Sequence, residues 1–262
     1  MDSEPRPPAG PSDDTPDEPD TDLLYPELAA HGRLATALMV VAATVGLDLG
    51  VVEPSESDTR GWALVASTVA DRRPMGVGTG SVERWFLVTA WSRGVSMVSG
   101  KTRDLTEVVR AAAAWREGAS LSQIKQAAPF VEIGDLALAH EIGPAAAVDV
   151  QWHHLRQREH GAPLRVLLET AGAEPRLRRL YPYTSHETLL FSTCTGYPYS
   201  RDVALVAPLA DNRYRVFAAD RTTQLGDVDT PAEAIRLVVA ALPDDVGPAV
   251  AGTWEELTGH EI

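Results

Sequence analysis

The order in which strand-like and helix-like segments follow one another constrains the fold of this chain most strongly. Segments rich in β-branched and aromatic residues occur in two runs of three, and a segment with helical periodicity follows each run. The strand-like segments are Trp62 to Ala70, Arg84 to Trp91 and Val95 to Ser99, then 188–195, Val203 to Leu209 and Arg213 to Ala219. Strands that occur in runs favour antiparallel sheets backed by helices, whereas a parallel sheet needs strands that alternate with helices.

The two runs are also spaced alike along the chain. Trp62 lies 42 residues before Asp104, and Thr188 lies 42 residues before Thr230. Asp104 and Thr230 each begin a capping-box pattern that precedes a helix. Duplication and independent recurrence of one layout both remain open. The sequence predicts an α+β fold of two antiparallel strand-strand-strand-helix units joined by an α-helical segment.

The predicted division of the chain has four parts. They are a disordered acidic Pro-rich tail (1–22), an N-terminal α+β unit (23–118), a helical connector (119–180) and a C-terminal α+β unit (181–262), with one compact domain as the alternative. The tail has eight acidic residues against Arg6, and its six prolines come with almost no apolar residues that could repay the entropy of ordering. A solubilising leader is the favoured role, and a tether or an electrostatic guard over a basic surface is the alternative.

Composition narrows the class of protein. A net charge of −14 makes a nucleic-acid backbone an unfavourable partner. No apolar run is long enough to cross a membrane, and the acidic residues after Met1 do not form a signal peptide. Cys194 is the single cysteine, which excludes an internal disulfide and agrees with a reducing compartment. We therefore expect a cytoplasmic protein.

Tyr181 to Ser200 has the most unusual composition. It holds four of the six tyrosines, the single cysteine and many hydroxyl groups, but no lysine. We expect a strand from Glu187 to Thr195, entered and left through Tyr-Pro turns. Arginines flank the stretch and form a basic collar that suits a carboxylate or phosphate of a ligand, or the acidic tail. The predicted binding residues are Tyr181, Tyr183, His186, Tyr197, Tyr199, Arg178 and Arg201.

Two residues of this stretch are weaker candidates for catalysis. Cys194 could be a nucleophile if the fold brings His186, His140 or His154 beside it, although a lone cysteine in an apolar strand is usually a small buried hydrophobe. Ser185-His186-Glu187 contains the residue types of a catalytic triad. Neighbouring side chains of an extended chain point to opposite faces, so we interpret these residues as a polar strand entrance.

Two other patterns resemble ligand sites only at first sight. The MGVGTGS segment has closely spaced glycines, but a strand follows it where phosphate binding needs a helix N-terminus, so we interpret it as a mobile hairpin tip. The seven histidines show none of the spacings of a zinc site. The sequence therefore indicates neither a metal nor a cofactor.

Three segments together resemble an uncharacterised actinobacterial family that is labelled as a natural-product biosynthesis protein. They are YPELAAHG, AEPRLRRLYPYTSHETLLFSTCTGYPYS and RYRVFAAD with the following LGDVDTPAEAIRLVVAALP, within residues 25–243. The resemblance implies a setting in secondary metabolism. Together with the aromatic stretch and its flanking arginines, it leads us to expect an accessory protein that binds a peptide, a small metabolite or a pathway enzyme, and the lack of a long apolar run leads us to expect no membrane partner. A tailoring enzyme that uses Cys194 or His186 is the first alternative, and an immunity-type protein that neutralises a toxin is the second. The oligomeric state stays open.

Overall fold

A computed structural model describes residues 21–259, and the predicted tail lies almost entirely outside this range. The helices are α1 (Thr21–Leu24), α2 (Pro26–His31), α3 (Leu34–Thr44), α4 (Leu105–Arg116), α5 (Leu121–Ala127), α6 (Asp135–Ile142), α7 (Pro144–Gln157), α8 (Ala162–Ala173), α9 (Pro175–Arg178), α10 (Pro231–Ala240) and α11 (Trp254–Thr258). The strands are β1 (Val52–Pro54), β2 (Trp62–Val65), β3 (Met75–Thr79), β4 (Phe86–Ser92), β5 (Val95–Thr102), β6 (Val131–Glu132), β7 (Tyr181–Ser185), β8 (Thr188–Ser192), β9 (Leu205–Pro208), β10 (Tyr214–Phe217) and β11 (Gln224–Val228). The predicted α+β class is confirmed.

The first sheet contains β1 to β6 in chain order, and every neighbouring pair is antiparallel. Alternate side chains of β2, β3 and β4 are buried against helices α3 and α4, which gives the first hydrophobic core. Helix α4 begins where the sequence predicts, because the Asp104 side chain accepts a hydrogen bond from the backbone N–H of Thr106. The opposite face of the sheet carries Trp62 and Trp91.

The predicted hairpin tip at MGVGTGS is wrong, because the first five of these residues form β3, one of the two middle strands of the first sheet. Trp62 lies opposite Gly78 on the neighbouring strand, and its ring covers Gly76 and Gly78. A Cβ atom on Gly78 would lie 2.2 Å from that ring. The glycines therefore provide room for a large side chain that crosses the strand, in agreement with a close approach to glycine inside a sheet.

The second sheet has the order β11-β10-β9-β8-β7 and is also antiparallel. Helices α7, α8 and α10 cover one face and form a second hydrophobic core around Trp152 and Phe191. Thr230 caps α10 and Pro231 occupies its first turn, as the sequence predicts.

The hairpin β7–β8 corrects the expectation for the tyrosine-rich stretch. Tyr181 and Pro182 lie within β7 instead of forming a turn, and the chain reverses at His186 and Glu187. Both residues have positive φ, 49° and 60°, as in the tight turns that match the twist of a β-hairpin. The strand predicted from Glu187 to Thr195 therefore begins one residue later and ends at Ser192.

The helical segment between the sheets is divided between the two cores. Helix α5 packs in the first core, whereas α7 and α8 pack in the second. Arg93-Gly94, the turn between β4 and β5, touches the second unit, because the backbone N–H of Tyr197 donates to the Gly94 carbonyl at 3.1 Å. No helix between residues 21 and 259 is both long and apolar enough to span a bilayer.

Candidate functional site

Three tyrosines form a row of contacting rings beside the hairpin β7–β8. The ring centroids of Tyr183 and Tyr199 are 4.6 Å apart, and those of Tyr199 and Tyr197 are 5.7 Å apart in an edge-to-face arrangement. Tyr197, with 66% of its surface exposed, ends the row. We call Tyr183, Tyr199 and Tyr197 the tyrosine row. The fold thus brings together residues that are up to 16 positions apart in the sequence.

Tyr181 lies below this row and is 1% exposed, so the structure places it in the protein interior. Its ring centroid is 5.4 Å from that of Tyr199. Burial raises the pKa of Tyr181, and it also raises the pKa values of Tyr183 and Tyr199. These phenols therefore stay protonated near neutral pH and can donate hydrogen bonds.

Tyr197 also forms one wall of a groove on the open face of the first sheet. The groove has a volume of about 490 Å³, and its main side chains are those of Trp62, Leu64, Arg73, Thr89, Trp91 and Tyr197. We call it the aromatic groove. Trp91 is 43% exposed although it is one of the largest apolar side chains. Exposed aromatic surface that is grouped in one concavity is typical of binding sites.

Local sequence explains how the groove is built. Leu64, Gly76 and Thr89 pair across β2, β3 and β4, and the ring of Trp62 takes the place of the missing side chain of Gly76 and lines the groove there. Gly196 allows the second unit to approach the first, because a Cβ atom there would lie 1.8 Å from the Arg93 carbonyl oxygen. This approach places Tyr197 at the edge of the sheet.

The tyrosine row and the aromatic groove together form one surface, and arginine side chains lie at both of its ends. The exposed Arg73 lines the groove, and its guanidinium has no ion-pair partner within residues 21–259. Arg221 donates a hydrogen bond to the phenol of Tyr183 at 3.2 Å, and the charge of the exposed Arg201 acts on the same phenol. Arg93 differs, because it forms an ion pair with Asp71. The surface is therefore locally basic on an acidic chain.

Arg178 has its contacts on another surface. Its guanidinium donates to Asp149 on α7 at 2.6 Å and lies over the ring of Trp152. These contacts join α9 to α7, and both helices contribute side chains to the second core. They explain the position of Arg178 without a ligand.

His186 occupies the exposed turn of the hairpin. Its Nδ1 atom is 3.1 Å from the hydroxyl oxygen of Ser185, so these two neighbours do interact through the turn. The extended geometry that we expected to separate them is wrong at this point, because His186 has positive φ. Ser185 and His186 are both exposed to solvent.

Cys194 is fully buried and belongs to a network of internal hydrogen bonds. Its thiol sulfur is 3.3 Å from the hydroxyl of Ser192, which also accepts the backbone N–H groups of Cys194 and Ser200. Burial raises the pKa of the thiol, and this disfavours the thiolate that a nucleophile requires. Several hydroxyls of the stretch therefore hold the backbone together and do not face a ligand.

The histidines expected to assist Cys194 have other neighbours. His140 lies 6.2 Å from Tyr181 between ring centroids, and burial lowers its pKa to about 4. His154 forms a 2.7 Å contact with Asp135, which lowers the pKa of that carboxyl group. Within the described part of the chain, no three His, Cys, Asp or Glu side chains are arranged to hold a metal ion.

Sequence reasoning missed Trp62, Arg73 and Trp91, which form most of the aromatic groove. The available signal was the alternation of glycine and valine at Gly76 to Gly78. In a strand, this alternation places two glycines on one face, where they leave space for a large cross-strand side chain.

Part of the chain matches a family of unknown function. Residues 146–253, which are 108 of the 262 residues, match the family described as a family of unknown function (DUF6193). No curated protein and no solved structure matches the chain. The match follows the second core, which extends from Val148 to Ala249, and it includes the tyrosine row. Residues 146–253 are therefore similar to an uncharacterised family, and the expectation of such a family is confirmed for this part of the chain.

Proposed function

We propose that this protein is a binding protein that takes an extended, proline-containing peptide into the aromatic groove. The observation that carries the proposal is the grouping of Trp62, Trp91 and Tyr197 around one open concavity with Arg73 beside them. Grooves lined with aromatic rings suit proline-rich segments, because such segments are preformed as polyproline II helices and lose little entropy when they bind.

The form of the groove favours a peptide over an enclosed metabolite. Small-molecule sites bury most of their ligand, whereas here Trp91 and Tyr197 are largely exposed on the open face of a sheet. The guanidinium of Arg73 has no ion-pair partner in the described part of the chain, and its charge favours a peptide with carboxylates near its prolines. The alternative of a tailoring enzyme gains nothing from Cys194, whose thiol is buried and protonated.

For the biological setting we propose an accessory role in secondary-metabolite biosynthesis, in the cytoplasm. The support is the resemblance of residues 25–243 to a family with that label, together with the match of residues 146–253 to a family of unknown function. The peptide would then belong to a pathway enzyme or to a peptide intermediate.

Titration of the full chain with four ten-residue peptides tests the proposed function. The peptides are proline-rich or proline-free, and each is made in an acidic and a neutral version. We expect the acidic proline-rich peptide to bind most tightly by isothermal titration calorimetry. Trp91→Ala should weaken this binding about tenfold or more, in the range typical of an aromatic residue at the centre of an interface.

Trp85→Ala provides the matched control. Trp85 precedes β4 and is partly exposed, but Lys101 and Arg103 cover its ring and it does not line the aromatic groove. We expect the Trp85→Ala variant to bind the acidic proline-rich peptide with the same affinity as the wild type. The same affinity for all four peptides, or equal losses in the two tryptophan variants, would contradict the proposal.

A further inference from the structure

The first 20 residues have the composition that the aromatic groove should recognise. They contain six prolines, and three pairs have the Pro-x-x-Pro spacing: Pro5 with Pro8, Pro8 with Pro11, and Pro16 with Pro19. Seven acidic side chains accompany them against the single Arg6. This spacing repeats with the three-residue turn of a polyproline II helix, so both prolines of a pair lie on one side of it.

The described chain begins close to one end of the groove. Thr21, Gly61 and Thr79 line the same small depression, and Asp22 forms an ion pair with Arg60. Gly61 directly precedes Trp62, which is the first aromatic residue of the groove. The N-terminal residues thus enter the structure at the Trp62 end of the first sheet but on its helix-covered side, so the segment has to pass around the end of β2 and β3 to reach the open face.

Residues 1–20 are long enough to extend along the whole aromatic groove. Five residues along β3 separate Gly78, opposite Trp62, from Arg73, which corresponds to about 16 Å at the usual rise of a strand. Twenty residues in a polyproline II helix extend about 60 Å. The segment can therefore pass Trp62, Trp91 and Tyr197 with most of its length to spare.

We propose that residues 1–20 dock in the aromatic groove as a polyproline II segment and compete there with the peptide ligand. Prolines pack against Trp62, Trp91 and Tyr197, and carboxylates of the segment pair with the guanidinium of Arg73. The inference rests on the proposed function, because it assigns a regulator to the same groove. The protein then carries its own competitor, and an external ligand must displace it.

Paramagnetic broadening in the full chain tests the contact directly. Ser12→Cys introduces a site for a nitroxide label, while the buried Cys194 is protected from labelling. We expect strong broadening of the indole N–H signals of Trp62 and Trp91. The indole of Trp152 in the second core serves as the internal reference. Mixing labelled and isotope-enriched chains separates contacts within one molecule from contacts between two.

Two variants of the labelled chain distinguish docking from mere proximity. In one, the six prolines of residues 1–20 are replaced by serine, which keeps the charges; in the other, the seven acidic residues are replaced by their amides, which keeps the prolines. Each should reduce the broadening of Trp62 at least twofold. Broadening that is unchanged in both variants would overturn the inference.

The titration with the acidic proline-rich peptide separates the two proposals. We expect the proline-to-serine variant to bind this peptide about threefold or more tightly than the wild type, because its competitor is lost. Equal affinities of the two proteins would overturn the inference and leave the proposed function intact. Absence of binding to both proteins would overturn the proposed function itself.

Discussion

Gly78 decides where the ring of Trp62 lies, and this single position shapes the aromatic groove. A methyl group at Gly78 would overlap the ring, which must then leave the surface of β3. We expect Gly78→Ala to lower the free energy of unfolding by about 1–2 kcal/mol and to weaken peptide binding. Urea unfolding and calorimetry measure the two effects. Gly247→Ala is the control, because nothing lies within 4 Å of a Cβ atom there.

His140 should make the stability of the protein depend on pH. Burial lowers its pKa to about 4 in the folded state, and its Nε2 atom has no hydrogen-bond partner within the described residues. The unfolded chain takes up this proton near pH 6.5, so it binds more protons than the folded chain between pH 6.5 and 4. Stability from the neutral imidazole is therefore present above pH 6.5 and is lost as the pH falls toward 4.

His140→Phe removes this dependence and keeps a ring beside Tyr181. We compare urea unfolding of both proteins at pH 7 and pH 4.5. The wild type should lose about 1–2 kcal/mol more than the variant over this interval, after allowance for the partial exposure of His140. An equal loss in both proteins would show that the carboxylates alone produce the acid sensitivity.

At the scale of elements, the turn of the hairpin β7–β8 carries two side chains in a conformation that suits Asn and Gly. His186 and Glu187 both have positive φ, which is unfavourable for residues with a Cβ atom. His186→Asn combined with Glu187→Gly should therefore stabilise the protein by about 1 kcal/mol in urea unfolding.

The same double variant tests whether His186 belongs to the binding site. The turn lies at the far end of β7 from Tyr181, and Tyr197 is the member of the predicted site that lines the groove. We expect peptide affinity to stay within twofold of the wild type. A larger loss would place His186 in contact with the ligand. A loss of stability would mean that the Ser185–His186 contact outweighs the backbone strain.

At the scale of the whole molecule, the two cores meet where glycines allow the backbones to approach closely. The N–H of Tyr197 donates to the Gly94 carbonyl at 3.1 Å, and Gly196 lies against the carbonyl of Arg93. Gly196→Ala should displace the second unit from the first sheet and lower stability by about 2 kcal/mol or more. Gly247→Ala again serves as the control.

The unfolding curve shows how far the stability of the two units depends on this contact between Arg93-Gly94 and Gly196-Tyr197, which we call the seam. We expect the wild type to unfold in one transition and Gly196→Ala to unfold in a broader transition or in two, because each unit keeps its own hydrophobic core. Differential scanning calorimetry resolves this. A single transition of unchanged width and midpoint in Gly196→Ala would show that the glycine contact does not hold the units together.

Local patterns in the sequence determined the elements and the fold class. The caps at Asp104 and Thr230 are confirmed, because a cap depends on residues that are two or three positions apart. The grouping of strands into two runs predicted antiparallel sheets, since short connections require neighbouring strands. Local patterns failed at β3, where glycine usually indicates a turn and here accommodates Trp62.

Only the tertiary structure decided which side chains share a surface. The sequence indicated Tyr197 and Tyr199, but it gave no sign that Tyr197 would reach Trp62 and Trp91 across the seam. It also grouped Tyr181 with them, although Tyr181 is buried. Exposure and long-range contacts depend on how the two cores pack together, and this packing is set by backbone approach at Gly94 and Gly196 instead of by any local pattern.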